Sequence, residues 1–155
     1  MKRLIALLVI SLAAGGADLK NLPNQSGNGD IDLAGNALVD SKEIQELVGA
    51  PMATHYVVVR LKVSPRMIQA IRISPDDFTL VSRKDGERSP TISPSQIAGS
   101  SAELQKILES KQLPDTETKE PVEGLLYFQM DGKNKPKDLG LLYKGPAGRL
   151  AMDFK

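Results

Sequence analysis

The sequence contains no cysteine and no tryptophan, and these absences remove several classes of site. Without Cys the fold has no disulfide bond, no thiolate nucleophile and no Cys-based zinc site. Aromatic residues are few, three Tyr and three Phe, which disfavours a site that stacks sugars on aromatic rings. His55 is the single histidine, so any catalytic mechanism that needs an imidazole must use it. Stability must therefore come from core packing, and few groups are available for catalysis.

The chain also lacks an excess of charge of one sign. It carries 20 basic and 19 acidic residues, and removal of an N-terminal segment containing Lys2 and Arg3 leaves 18 and 19. Proteins that bind nucleic acids or anionic membranes do so through clustered, excess Lys and Arg. The balance therefore predicts that nucleic acid is not a partner.

The N-terminus has the three parts of a cleavable export signal. Lys2 and Arg3 precede an apolar run over residues 4–14, and the small residues at 15–17 follow it. The run is too short for a membrane helix, which needs about 20 apolar residues. We expect residues 1–17 to be removed as a signal peptide. Because no Cys follows to carry a lipid, the mature protein is expected in the periplasm or the medium, without a membrane span.

Residues 18–30 are polar and rich in Asn and Gly, without periodicity, which is typical of a flexible leader. Beyond them, apolar residues alternate in short runs that predict strands. The strongest run is Tyr56 to Val63, in which the residues from Val57 onward alternate between an apolar and a basic face. Further strands are predicted at 31–39 with a break at Gly35-Asn36, and at 71–73, 78–82, 122–130, 139–143 and 149–154, the last two as a hairpin.

Two segments have helical spacing of their apolar residues. The first covers residues 41–48, with Asp40 as the candidate N-cap in a capping box with Glu43. The second covers about residues 100–111, capped by Ser100 or Ser101, inside a helical loop insert at about 95–121. Many short strands separated by turns predict one all-β domain over residues 31–155. Its expected architecture is an immunoglobulin-like β-sandwich of about seven short strands with one or two short helices in the connections.

Several strings of this domain carry a family resemblance. They are YVVVRLKV at 56–63, Ser74-Pro75 followed by Asp77-Phe78 and the strand at 79–82, and KDLGLLYKG at 137–145. In these strings the chain resembles a family of uncharacterised exported bacterial proteins with an immunoglobulin-like β-sandwich. The strings SPSQIAG at 93–99 and KGPAGRL at 144–150 resemble a narrower subgroup of it.

The resembling strings are turn residues and core strands rather than catalytic motifs. The resemblance therefore implies the fold and export from the cell, and it implies no active site. Members of the family are commonly anchored through a lipidated Cys, and this chain lacks that residue.

Met52 and His55 are candidate metal ligands. A thioether and an imidazole three residues apart suit copper in an oxidising compartment. The alternative interpretation is that His55 is a surface residue at the start of a strand. Two ligands do not complete a site, so copper remains one hypothesis among several.

Two carboxylate pairs, Asp30 with Asp32 and Asp76 with Asp77, could bind calcium or, together with His55, hydrolyse a substrate. Neither pair has the spacing of a calcium-binding loop. Asp77 stands immediately before a strand, and there it more simply accepts hydrogen bonds from backbone amides in a turn.

A set of basic residues is the remaining candidate site. The set is Lys133, Lys135 and Lys137 in one loop, with Lys144, Arg149 and Lys155 near the final hairpin. If these residues cluster, they could hold an anionic glycan or a lipid headgroup. The alternative is that the lysines keep a loop soluble and protect a sheet edge from pairing.

Taken together, these patterns predict an exported immunoglobulin-like binding or structural module of the bacterial envelope. We expect no catalysis and no cofactor, and an envelope or extracellular protein or glycan as partner. The alternatives are a periplasmic carrier of copper or another small ligand, and a hydrolase that uses His55 and nearby Asp residues. An inhibitor or accessory subunit that acts through the loop at 93–121 is a third possibility.

Overall fold

The computed structural model describes residues 22–52, 55–97, 101–131 and 133–155. The predicted signal peptide, residues 1–17, lies outside the described residues, as do residues 18–21 of the predicted leader. The described chain is mostly β-structure arranged in antiparallel sheets. Within these ranges no helix is both long enough and apolar enough to cross a membrane.

The chain forms ten strands and two α-helices within the described residues. The strands are β1 (Asn24–Gly27), β2 (Ile31–Leu38), β3 (Tyr56–Pro65), β4 (Ile71–Ile73), β5 (Phe78–Ser82), β6 (Arg88–Pro90), β7 (Thr116–Thr118), β8 (Val122–Gln129), β9 (Leu139–Gly145) and β10 (Gly148–Asp153). The helices are α1 (Ser41–Val48) and α2 (Ala102–Lys111). Short 3₁₀ turns cover Pro75–Asp77, Pro94–Gln96 and Pro136–Asp138.

Two four-stranded sheets form a β-sandwich. The first sheet has the order β1-β2-β3-β8, the second has the order β10-β9-β5-β6, and β4 pairs with β7 in a separate ribbon. The main core lies between the sheets, where Val57, Val59 and Leu61 of β3 pack in one cluster with Phe78 and Leu80 of β5. Alternate residues of a strand point to opposite faces, so the alternation in the sequence predicted this face of β3 correctly.

A second, smaller core covers the outer side of the first sheet. There Tyr56 and Tyr127 lie beneath the two helices, which contribute Ile44, Val48 and Leu108. The Tyr127 hydroxyl donates a hydrogen bond of 2.6 Å to the Leu108 carbonyl and so ties α2 to β8. β3 is apolar on both faces where it begins, as is typical of a strand buried on both sides.

Polar side chains link the two sheets along both edges of the sandwich. At one edge the Ser26 hydroxyl donates to the Ala151 carbonyl at 2.9 Å, and at the other the Ser89 hydroxyl donates to the Gln129 carbonyl at 2.7 Å. These bonds occupy groups on edge strands that would otherwise be free to pair with another chain.

The prediction of a flexible leader is wrong for residues 22–30, because this segment contains β1. Asn24 is only 2% exposed. Its amide donates to the Gly35 carbonyl and its Oδ1 accepts from the Lys155 backbone amide, each at 3.0 Å. The polar composition suggested disorder, but here the polar groups are satisfied inside the fold.

The predicted break of the first strand at Gly35-Asn36 is also wrong, since β2 continues through both residues. Gly35 serves close packing instead. A Cβ atom at this position would lie 2.9 Å from the Arg60 carbonyl oxygen and 3.0 Å from Met152 Cε. The glycine therefore permits a close approach that a larger residue would prevent.

Both helices occur where helical spacing predicted them, and the bounds of α1 are those predicted. Asp40 is the N-cap of α1, but its side chain makes no capping hydrogen bond, so the predicted capping box with Glu43 is wrong. The Ser101 hydroxyl does cap α2 by accepting from the Leu104 amide at 3.1 Å.

The described residues form ten strands, whereas the sequence predicted about seven, and β1 and β7 are two of the additional strands. β7 lies inside the insert predicted at 95–121 and pairs with β4, with Thr116 opposite Ile73. Both strands are short and polar. They form because a partner strand is present, which a local sequence pattern does not reveal.

Candidate functional site

The structure gives the two predicted copper ligands different surroundings. His55 is half-buried and lies against the Tyr56 ring, with 4.4 Å between the ring centroids. It lines a pocket of about 370 Å³ together with Met130 and Lys133. Met52 instead packs against the core beneath the helices. Among the described residues no group of three or more His, Asp or Glu side chains is placed to hold a metal.

Asp30 and Asp32 anchor a loop at the end of β3. The Asp32 carboxylate forms a surface ion pair with Arg66. The Asp30 carbonyl accepts a hydrogen bond of 2.8 Å from the Arg66 backbone amide. Both contacts are structural. In the first predicted carboxylate pair, Asp32 therefore acts through its side chain and Asp30 through its backbone carbonyl.

Asp76 and Asp77 are neighbours in sequence but line different cavities. Asp76 lines a polar cavity of about 520 Å³, to which Glu109 and Asp115 also contribute. Asp77 lines a second cavity, of about 550 Å³, on the second sheet. The two residues of the second predicted carboxylate pair therefore line different cavities, although both belong to one 3₁₀ turn.

Asp77 lies beside the β9–β10 hairpin, and burial raises the pKa of its carboxyl, while a hydrogen bond from the Ser74 backbone opposes that rise. A Cβ atom on Gly145 would lie 2.6 Å from the Tyr143 Oη and 2.9 Å from the Asp77 Oδ2, so this glycine makes room for both polar groups. The Tyr143 hydroxyl accepts from the Ala147 amide at 3.2 Å, and burial raises the pKa of the phenol.

The predicted basic set is divided between the two ends of β9. Lys133, Lys135 and Lys137 lie in the loop that leads into the start of this strand. Lys144 and Arg149 are cross-strand partners near its other end. A seven-residue strand is about 20 Å long. The single basic side that the sequence suggested is therefore two separate groups.

The second sheet has an outward side that we call the open face, formed by Arg149, Ala151, Asp153, Gly140, Leu142, Lys144, Thr79, Val81, Arg88 and Pro90. Both helices pack on the other sheet. Strand register aligns Ala151, Leu142, Thr79 and Pro90 in one row across all four strands. The 550 Å³ cavity lies on this face, with Arg88, Lys144 and Arg149 in its lining.

Ion pairing distinguishes the arginines of the open face from the others in the described residues. Four arginines form ion pairs, Arg60 with Glu123, Arg66 with Asp32, Arg72 with Asp115 and Arg83 with Asp153. Arg88 and Arg149 have no ion-pair partner in the part of the chain that the structure describes, and both line the same cavity. The cavity also holds the carboxylate of Asp77, so three cations and one carboxylate line it, and its net positive charge is available to a ligand.

No family model and no curated protein matches the sequence. Solved structures do resemble the fold. The ycdA protein of Bacillus subtilis, a candidate lipoprotein, superposes with a TM-score of 0.51 and 14% identity, covering 84% of this chain and 38% of its own. The yjhA protein of Bacillus subtilis gives a TM-score of 0.51 with 12% identity, over 80% of this chain and 81% of its own.

A secreted protein of Mycobacterium tuberculosis, MPT63, superposes with a TM-score of 0.49 and 11% identity over 86% of this chain and 94% of its own. At identities this low, the resemblance to the Bacillus subtilis proteins shows a shared fold and no more. The chain spans less than two fifths of the ycdA protein.

Sequence reasoning named Arg149 as a weak candidate but did not identify Arg88. Arg88 begins a three-residue strand that ends in a proline and that lies outside the predicted strands. Its relation to Arg149 depends on the order β10-β9-β5-β6, which places the two residues on the outermost strands of one sheet. A local pattern carries no signal for that order.

Proposed function

We propose that this protein is an exported binding module of the bacterial envelope, without catalytic activity, built on an immunoglobulin-like β-sandwich. It binds an anionic macromolecule on the open face. The observation that carries this proposal is that Arg88 and Arg149, the two arginines without ion pairs in the described chain, line one cavity on that face.

Arginine is well suited to such a surface. Its planar guanidinium forms two parallel hydrogen bonds with a carboxylate or phosphate and remains charged at all physiological pH values. Lys144, the cross-strand partner of Arg149, adds a third positive charge to the same cavity. Two carboxylates belong to this face or its cavity. Asp153 on β10 is already paired with Arg83 at 3.4 Å, and Asp77 lines the cavity, where burial raises its pKa.

A non-enzymatic role is supported by the separation of the candidate catalytic groups. His55 lines one pocket, and Asp76 and Asp77 line two others. A general base must lie within hydrogen-bond reach of the groups that it serves. The copper-carrier and hydrolase alternatives remain predictions with no support from this arrangement.

Export is supported by the charged, apolar and small-residue segments of residues 1–17. It also agrees with the description of ycdA as a candidate lipoprotein. Expression of the full chain in bacteria tests it directly. We expect N-terminal sequencing to find a mature chain that starts within a residue or two of Asp18, and recovery of Met1 would contradict export by this signal.

Binding is tested with the full chain after its processing in bacteria, using three anionic probes: poly-L-glutamate, polygalacturonate and phosphatidylglycerol vesicles. The double variant Arg88→Gln, Arg149→Gln should lose at least about tenfold in affinity for a probe that binds the parent protein, because charge-assisted hydrogen bonds are lost.

The variant Lys133→Gln, Lys135→Gln is the matched control, since it removes the same charge from the loop before β9, whose lysines do not line the cavity. It should retain the parent affinity. An equal loss in both double variants, or a loss only in the lysine variant, would overturn the assignment of the open face.

A further inference from the structure

We infer that the ligand of the open face is a protein whose contact surface is apolar in the middle and acidic at two opposite ends. This inference rests on the proposed function, because it specifies the partner of the same face.

The cations of the open face that have no ion-pair partner in the described chain lie near two opposite corners, whereas Asp153, in the same row as Arg88, is paired with Arg83. Arg149 is on β10 and Arg88 is on β6, with two strands between them. Arg88 is opposite Val81, and Val81 is opposite Gly140, four residues before Lys144 along β9. With about 4.8 Å between strands and about 3.3 Å per residue along them, the backbones at Arg88 and Arg149 are on the order of 20 Å apart.

The middle of the open face is apolar or uncharged. Ala151, Leu142, Thr79 and Pro90 form the row that crosses all four strands. Leu142 and Thr79 are only half-buried, so part of this row is accessible to a partner. The face therefore has an uncharged centre between Arg88 on one side and Lys144 with Arg149 on the other, and Asp77 is the carboxylate that lines the same cavity.

This distribution of charge distinguishes between classes of partner. A polyanion with evenly spaced charges would place some of them over the uncharged row, where they would lose water without gaining a cation. Sugar rings are held by stacking on aromatic side chains, and none of the outward-pointing residues of these four strands in the described chain is aromatic. Protein interfaces combine an apolar centre with a polar rim and are enriched in arginine. The open face has that anatomy.

The test uses a labelled peptide with two acidic residues at each end of an alternating apolar segment of about six residues, which spans about 20 Å when extended. A scrambled peptide of the same composition, with its acidic residues grouped in the middle, is the control ligand. Fluorescence anisotropy with the processed full chain should show at least about tenfold tighter binding of the first peptide, because only its acidic ends match the positions of the cations. A tenfold difference corresponds to about 1.4 kcal/mol of binding free energy.

The protein variants then assign that binding to the open face. Arg88→Gln, Arg149→Gln should remove the preference for the matched peptide, and Lys133→Gln, Lys135→Gln should leave it unchanged. Equal affinity for the two peptides would overturn the inference.

Failure of the inference can be distinguished from failure of the proposed function. If polygalacturonate or phosphatidylglycerol vesicles bind and the arginine variant abolishes that binding while neither peptide binds, the face binds anions and the protein partner is wrong. If the arginine variant changes binding of no probe and of neither peptide, both proposals are wrong.

Discussion

Gly124 shows how much a single residue can decide in this fold. It lies in β8, where the chain that follows α2 runs along the strand and the Leu113 amide donates to the Leu125 carbonyl at 2.9 Å. A Cβ atom at Gly124 would lie 2.4 Å from the Leu113 Cα and 2.5 Å from its nitrogen. The missing side chain leaves a gap on the core face of β8, and Leu113, only 1% exposed, packs into that core.

We predict that Gly124→Ala lowers the free energy of unfolding by about 1–3 kcal/mol, because a backbone segment must move to admit the methyl group. Urea unfolding followed by circular dichroism measures the change. Gly140→Ala is the matched control in β9. There the new Cβ would meet a side-chain oxygen, the Asp153 Oδ1, at 3.2 Å, and that side chain can move. Equal losses in the two variants would contradict the steric explanation.

Strand β1 shows why an element can form from a sequence that looks disordered. Its residues are Asn, Gln, Ser and Gly, and each of them pairs with a residue of β2 from Gly35 back to Asp32. Asn24 also holds the C-terminus, since it accepts from the Lys155 amide. The element therefore depends on the sheet edge beside it and on one buried side chain.

Replacing Asn24 by Ala should lower the free energy of unfolding by about 1–3 kcal/mol, since the Gly35 carbonyl and the Lys155 amide lose their partner at a buried site. Amide hydrogen exchange should accelerate most in β1 and at the end of β10. Gln25→Ala, on the exposed side of the same strand, should change stability by no more than about 0.5 kcal/mol. If the two variants behave alike, β1 is not held by Asn24.

At the scale of the whole molecule, two carboxyl groups respond to pH in opposite directions. Burial raises the pKa of Asp77 above its ordinary value of 3.8, so the folded state holds this proton more tightly than the unfolded state. Stability from Asp77 is therefore fully present below pH 3.8 and is lost as pH rises through the raised pKa. A hydrogen bond from Arg72 lowers the pKa of Asp115, so the stability from Asp115 is lost as pH falls.

Asp77→Asn should accordingly be more stable than the parent chain at neutral pH, and this advantage should disappear below pH 3.8, where both carry an uncharged side chain. Urea midpoints over a series of pH values measure it. Asp115→Asn should show the opposite trend: it should be less stable than the parent chain, and the difference should be greatest at neutral pH. A constant difference between Asp77→Asn and the parent at all pH values would contradict the role of burial.

Local patterns in the sequence were sufficient for the elements that depend on their own residues. The alternation from Tyr56 to Val63 predicted the core face of β3, and helical spacing predicted α1 with its observed bounds. The β9–β10 hairpin also follows from two apolar runs joined by a short turn. In each case the period of apolar residues and the turn residues between them determine the structure.

Only the tertiary structure decided the features that depend on distant pairing. β1 exists because β2 lies beside it, and the helices bury Tyr56 and Tyr127 because they fold over one sheet and not the other. Arg88 and Arg149 are 61 positions apart, and strand order alone brings them to one cavity. A sequence pattern records the period of its own segment, whereas strand order and register are set by contacts between segments far apart in the chain.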